Sequence, residues 1–309
     1  MSDAQEVAHA SVTYATCLTA ILAWDWLNYL PSEYKYLWGP LFRGDAHKRR
    51  RSLGEKALAY VSCGLFLVVR YFALLEFALF TWSINATVSH EQCQKFQAIF
   101  PYLSNLVALA ANAIMALRVV ALYERDRNLS IFLSVSLATV AGVTLWGSSF
   151  TEAQEGIPSC IPNATSRNFN ALYISVACYD AVLVAFTIGR YFFLRRKTGG
   201  TLGHLTTVII RDGLLYFVFV FSANLLAAAF ELQNAKPLLK PVNASLATVM
   251  TSIFCSRIFF NLCKAGSSTL SRGMPAQGDS SHELGVTFTQ RRDVHVSSSD
   301  EDVESGMKV

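Results

Sequence analysis

Seven apolar runs dominate this chain, at approximately 9–30, 57–82, 99–121, 129–150, 169–194, 207–230 and 244–263. A helix needs about 20 mostly apolar residues to cross the hydrocarbon of a bilayer, and each run meets that length. Lipid offers no water to the backbone, so only structures that pair every N–H and C=O internally can span it. The runs are too long for strands and lack period-two alternation, which leaves helices. The expected fold is therefore all-α: a polytopic membrane protein with seven transmembrane helices. Hydrophobic residues make up 52% of the chain and charged residues 16%, against about 25% charged in an ordinary soluble domain. The first seven residues carry no Lys or Arg, so the first run is expected to be a retained span rather than a cleaved signal.

The basic residues set the expected orientation. With the N-terminus outside, twenty of the 26 Lys and Arg fall on the cytoplasmic side, including the run Lys48-Arg49-Arg50-Arg51, and four fall outside. Arg70 and Arg257 lie within spans. That asymmetry predicts an outside N-terminus and a cytoplasmic C-terminus by the positive-inside rule. Three N-x-S/T triplets, at Asn85, Asn163 and Asn243, then fall outside, and a fourth at Asn128 falls inside. Asn163 is the best glycosylation acceptor, with Asn85 beside a span end. The expected division is a membrane domain over 1–264 and a disordered cytoplasmic tail over 265–309, where Ser, Gly and charge replace apolar periodicity. The localisation is a multi-pass membrane, the plasma membrane or another membrane of the secretory pathway.

Ionisable groups within spans are costly and persist when paired or when they line a polar cavity. Depth can be compared because a helix rises about 1.5 Å per residue. Asp25 lies five residues from the inner end of span one and Arg257 six from the inner end of span seven. They are expected to pair, with Asp212 of span six as a competitor. Arg70 and Asp180 also share a depth, near the bilayer middle. With Asn105, Asn112 and Asn224 they outline either a ligand-binding site (Arg70, Asn112, Asp180, Asn224) or a structural polar knot that fixes packing. Glu76 sits nearer the outer end of span two and either lines an outer vestibule or reaches the headgroups. Of seven cysteines, Cys93 and Cys160 are the two in outer loops. A bridge between them is expected in an oxidising compartment, in a placement similar to the disulfide of G-protein-coupled receptors. Glu124-Arg125, after span three, reads either as a switch pair or as a basic anchor.

No reaction is legible. The histidines fall at span ends, in loops or in the tail, and span seven holds no lysine. Ligand clusters for zinc or haem are therefore missing, as are hydrolase and nucleotide-binding motifs in usable context. The expectation is a protein without catalytic activity, catalytic residues, cofactor or metal, and without nucleic acid as a partner.

Four stretches carry a family resemblance. They are Ile210-Arg211-Asp212-Gly213-Leu214-Leu215-Tyr216-Phe217 followed by Asn224-Leu225, Leu117-Arg118-Val119-Val120-Ala121-Leu122-Tyr123, Ser256-Arg257-Ile258-Phe259-Phe260-Asn261-Leu262, and the N-terminal set Asp25, Trp38 and Arg70-Tyr71. Together they resemble a large family of basidiomycete fungal seven-span membrane proteins, whose N-terminal part is a domain of unknown function. Val69 stands where that family often has Asn, and the first inner loop is longer than usual. The resemblance implies topology and fungal origin and supplies no reaction. The expected function is receptor-like sensing of a small ligand, with signalling to a cytoplasmic protein. A transporter or channel, and a non-catalytic membrane scaffold, are the alternatives.

Overall fold

A computed structural model describes residues 3–39, 53–85, 89–150, 152–153, 162–163, 167–197, 204–232 and 240–272. Among them are seven long helices. They are α1 (Asp3–Glu33, continued by a π-helical turn over Tyr34–Trp38), α2 (Leu53–Leu67, a π-helical turn at Val68–Phe72, then Ala73–Asn85), α3 (His90–Leu122), α4 (Arg127–Ser148), α5 (Arg167–Lys197), α6 (His204–Leu232) and α7 (Lys240–Arg272). The only strands among the described residues are β1 (Glu152–Ala153) and β2 (Pro162–Asn163), an antiparallel pair that sits between α4 and α5 in the chain and lies against α3.

Local chemistry explains the sharper helix ends. Ser89 and Gln92 form a reciprocal capping box that starts α3, satisfying two otherwise orphaned donors. This places the start nine residues before the expected span. Asp126 accepts from the backbone N–H groups of Asn128 and Leu129 and so starts α4. Pro31 does not end α1, although the apolar run stops beside it. In a membrane helix a proline is tolerated within the packed bundle, and just past it Glu33 is held by contacts with α2, as described below.

Among the described residues four stretches are long and apolar enough to cross a membrane: Leu58–Ser83, Glu91–Leu122, Arg127–Ser148 and Asn170–Lys197. A shorter apolar stretch, Phe217–Phe230, lies in α6. Large apolar side chains point outward along them, among them Tyr60, Val135, Phe193 and Phe219. In water such a surface would drive association; it suits contact with lipid tails. This is the make-up of an α-helical membrane protein.

The chain divides into units Met1–Lys264 and Ala265–Val309. Of the second, only residues through 272 are described, and these are helical. Helix therefore continues past the point where the tail was expected to begin.

Within the first unit, α3 is the axis. Half of its apolar window is buried, against 17% for α4. Two apolar clusters meet along it. One joins Leu18 and Leu22 of α1, Phe66 and Phe77 of α2, Val107 and Ile114 of α3, and Val249 and Phe259 of α7. The other joins Met115 and Val119 of α3 to Leu133 of α4, Leu183 of α5, Val220 of α6 and Ile258 of α7.

Candidate polar sites in the helix bundle

The most enclosed charge is one that the expected spans left out. Glu33 is fully buried at the end of α1. Its Oε2 accepts from Arg70 Nε at 2.8 Å. Its Oε1 accepts from the Tyr71 hydroxyl at 2.6 Å and from Trp38 Nε1 at 3.1 Å. Arg70 also donates through Nη2 to the carbonyl of Trp26 at 2.9 Å, in the turn ahead of Pro31. The guanidinium stands over the rings of Phe260 and Phe66, at 5.6 and 5.9 Å. Both π-helical turns flank this knot, and Ser252 of α7 donates to the carbonyl of Val69 inside the second. Single-turn π segments widen a helix locally and gather at functional sites.

Arg70 is thus held by Glu33. The shared depth of Arg70 and Asp180 does not make them partners. The reason is that α1 stays helical beyond Pro31 and delivers a carboxylate to Arg70 first.

Asp180 of α5 accepts instead from the Asn224 amide of α6 in a short hydrogen bond. Asn105 donates to the Thr144 carbonyl at 3.2 Å and to the Ser148 hydroxyl, both on α4. Asn112 is buried and its amide nitrogen has no hydrogen-bond partner. Glu76 is buried beside Ser104, whose hydroxyl lies 3.1 Å from that of Thr248. Of the four residues of the expected ligand site, Arg70 pairs with Glu33, Asp180 and Asn224 pair with each other, and Asn112 has an unused donor.

Arg257 Nη2 donates to Asp25 Oδ1 at 3.1 Å. The guanidinium lies 5.9 Å from the Tyr29 ring centroid, and Tyr29 stacks on Phe260 at 5.4 Å. The Asp212 side chain lies outside the described residues.

A third group of contacts gathers at the α3–α4 turn. Arg118 Nη2 donates to the Ile258 carbonyl of α7 at 2.9 Å. The Tyr123 hydroxyl donates to the Phe186 carbonyl of α5 at 3.0 Å. Arg190 of α5 donates to the Leu122 carbonyl at 3.1 Å and to Glu124 Oε1 at 2.8 Å. Glu124 and Arg125 both have left-handed backbones, with φ of 57° and 64°. That is uncommon for residues other than glycine. The partner of Glu124 is Arg190 of α5.

Cys93 is buried and disulfide-bonded, while Cys17, Cys63, Cys178, Cys255 and Cys263 are free thiols. Cys160 lies outside the described residues. Asn163 falls in β2 and Asn85 at the end of α2, and nothing is described of either side chain. Among the described residues no three His, Cys, Asp or Glu come together.

The residues missed by sequence reasoning were hidden in two ways. Glu33 sits behind a proline, and Arg190 and Arg118 were counted only as basic anchors. A visible signal was the Glu33 to Trp38 segment, which places aromatic residues and one acid immediately after the first apolar run.

No protein-family model matches this chain, and no curated protein matches it. The motifs that carried the resemblance nonetheless acquire a physical reading. Arg70 and Trp38 meet at Glu33, Arg257 meets Asp25, Arg118 meets the backbone of Ile258, Tyr123 meets that of Phe186, and Asn224 meets Asp180. Each is a polar joint between two helices.

Proposed function

We propose that this is a seven-span receptor-like protein, with its N-terminus outside, that senses a small ligand and signals to a cytoplasmic protein through the α3–α4 turn and α5. The same reading groups it with the basidiomycete seven-span family its motifs resemble. It also places the chain in the plasma membrane or another secretory-pathway membrane, with Cys93 bridged to Cys160. Support for the bridge comes from Cys93 being disulfide-bonded while the five other described cysteines are free thiols.

The observation that carries the reading is the Arg190–Glu124 contact at 2.8 Å, made from a turn with two left-handed residues. Such backbone persists only where surrounding contacts hold it, and it gathers at switch regions. Arg190 ties α5 to the end of α3, while further along α5 Asp180 ties it to α6. A ligand that rearranges the Asp180–Asn224 pair would act on the middle of the same helix that carries the Arg190 contact nearer its C-terminal end. That gives one two-state element biased from two points, as a switch requires.

The test is co-purification of a heterotrimeric G-protein subunit from native membranes with the wild type and with Glu124→Ala. Release of the contact is expected to raise recovery of the subunit without ligand. Its absence from both preparations sinks the reading. Ion conductance or solute uptake that disappears in Asp180→Asn would favour a transporter instead.

A further inference from the structure

A cleft of about 320 Å³ opens between α1 and α7 in the first unit, lined by Ile21, Trp24, Asp25, Asn28, Ile253 and Arg257, with Tyr29 beside them. Three observations define what it can hold. First, it faces outward from the bundle, since Trp24 is 68% exposed and Ile21 49%. In a bilayer, a molecule dissolved in the lipid is what reaches it. Second, its charge is balanced. Asp25 and Arg257 are 3.1 Å apart, yet the Arg257 side chain remains 42% exposed. A polar group left facing hydrocarbon is costly, so an acyl chain alone is a poor occupant. An anion would meet the Asp25 carboxylate and a cation the Arg257 guanidinium.

Third, the cleft has a direction. Asp25 meets Arg257 and, one turn on, Tyr29 stacks on Phe260, so α1 and α7 run parallel here. Ile21 and Ile253 each lie four residues before the charged member of their own helix. They therefore stand on the same side of the ion pair, and Asn28 and Tyr29 stand on the other. One end of the cleft is polar and the other apolar.

We propose that this cleft is a binding site for a sterol, a neutral lipid with one hydroxyl on a rigid apolar body. The hydroxyl sits at the ion pair, where its O–H donates to the Asp25 carboxylate and its oxygen accepts from Arg257. The ring system lies along Ile21 and Ile253, toward the N-terminal ends of the two helices. With the N-terminus outside, this is the orientation of a sterol in the inner leaflet.

The test uses the full chain in phosphatidylcholine vesicles that contain a photoreactive sterol. Labelling is mapped by mass spectrometry of peptides covering residues 21–29 and 253–257. Unlabelled sterol is expected to compete, and its 3-keto analogue, which accepts but cannot donate, to compete about tenfold more weakly, as the loss of roughly 1.4 kcal/mol would give. Ile253→Trp fills the cleft and is expected to remove most of the labelling, at a cost in thermal stability because Ile253 is packed in the buried core. Ile21→Trp fills it from the other helix and serves if the first variant does not fold. Equal competition by the ketone, or labelling that survives both tryptophans, overturns the proposal. Competition by diacylglycerol as strong as that by sterol also overturns it, because the site would then read the hydroxyl without the rigid body. None of these outcomes depends on a signalling partner, so the receptor reading can fail while this one stands.

Discussion

The two sides of the bundle handle buried polarity differently. Where α1, α2 and α7 meet, two buried carboxylates are matched by charge, Glu33 with Arg70 and Asp25 with Arg257, while Glu76 of α2 lies beside the neutral Ser104. Where α4, α5 and α6 pack around α3, buried polar groups are matched by neutral ones. Asp180 takes the Asn224 amide, Asn105 takes Thr144 and Ser148, and the Tyr179 hydroxyl takes the Leu133 carbonyl. The difference bears on rigidity. A buried ion pair that loses one member leaves an uncompensated charge, so its geometry is fixed. A neutral hydrogen bond contributes only about 0.5–1.5 kcal/mol net, so its partners can exchange. The first side is built to stay in register and the second can rearrange.

The largest expected effect tests the rigid side. Glu33→Gln keeps the shape of the side chain and removes the charge that Arg70 needs. It should lower unfolding stability by about 3–5 kcal/mol, read as thermal unfolding in detergent. Glu33→Leu with Arg70→Met should recover most of that. A deficit of about 1–3 kcal/mol remains, because the Tyr71 hydroxyl and the Trp38 indole lose their acceptor. Asp180→Asn is the matched change on the other side. It preserves a hydrogen bond to Asn224 and should cost less than about 1 kcal/mol. Equal losses from Glu33→Gln and Asp180→Asn would erase the distinction between the two sides.

An intermediate effect is expected at the cleft. The Arg257 side chain is partly exposed while that of Asp25 is 8% exposed, so Asp25→Asn should cost about 1–3 kcal/mol. Exchanging the two residues, Asp25→Arg with Arg257→Asp, should restore part of the loss shown by either charge reversal alone. No restoration would mean that each residue answers to its surroundings and not to the other.

How far this was legible depends on whether a feature is local in sequence. Apolar length predicts helices directly, because in lipid the backbone has no other way to pair its groups. Counting residues from the expected ends of spans one and seven brings Asp25 and Arg257 to one level, since both helices run the same way. Glu33 was illegible for a definite reason. Pro31 reads as a helix end from local propensity, and the α2 residues that hold Glu33 just beyond it lie 37 or more positions away in sequence. Arg190 was hidden differently. Positive-inside counting assigns a basic residue to a side of the membrane, and it does not say which carboxylate that residue meets. Asn112 was picked out as polar within a span, and its unused donor became visible only once its neighbours were in place.

The smallest expected effect separates strain from attraction in the α3–α4 turn. Glu124 and Arg125 share left-handed backbone, which costs a non-glycine residue about 1–2 kcal/mol. Glycine adopts that conformation without the penalty but orders a more flexible unfolded chain. Arg125 is exposed, so Arg125→Gly should stabilise the protein by about 0.5–1 kcal/mol. Glu124→Gly removes the same strain and also the contact with Arg190, whose side chain is 16% exposed. An ion pair open to solvent on one side contributes up to about 1 kcal/mol, so the two effects should nearly cancel. The difference between the two glycine variants in thermal unfolding then measures the Arg190 contact alone. If Glu124→Gly stabilises as much as Arg125→Gly, that contact holds nothing. The turn would then belong with the loosely matched side of the bundle only by position, and a switch at Arg190 would lose its physical basis.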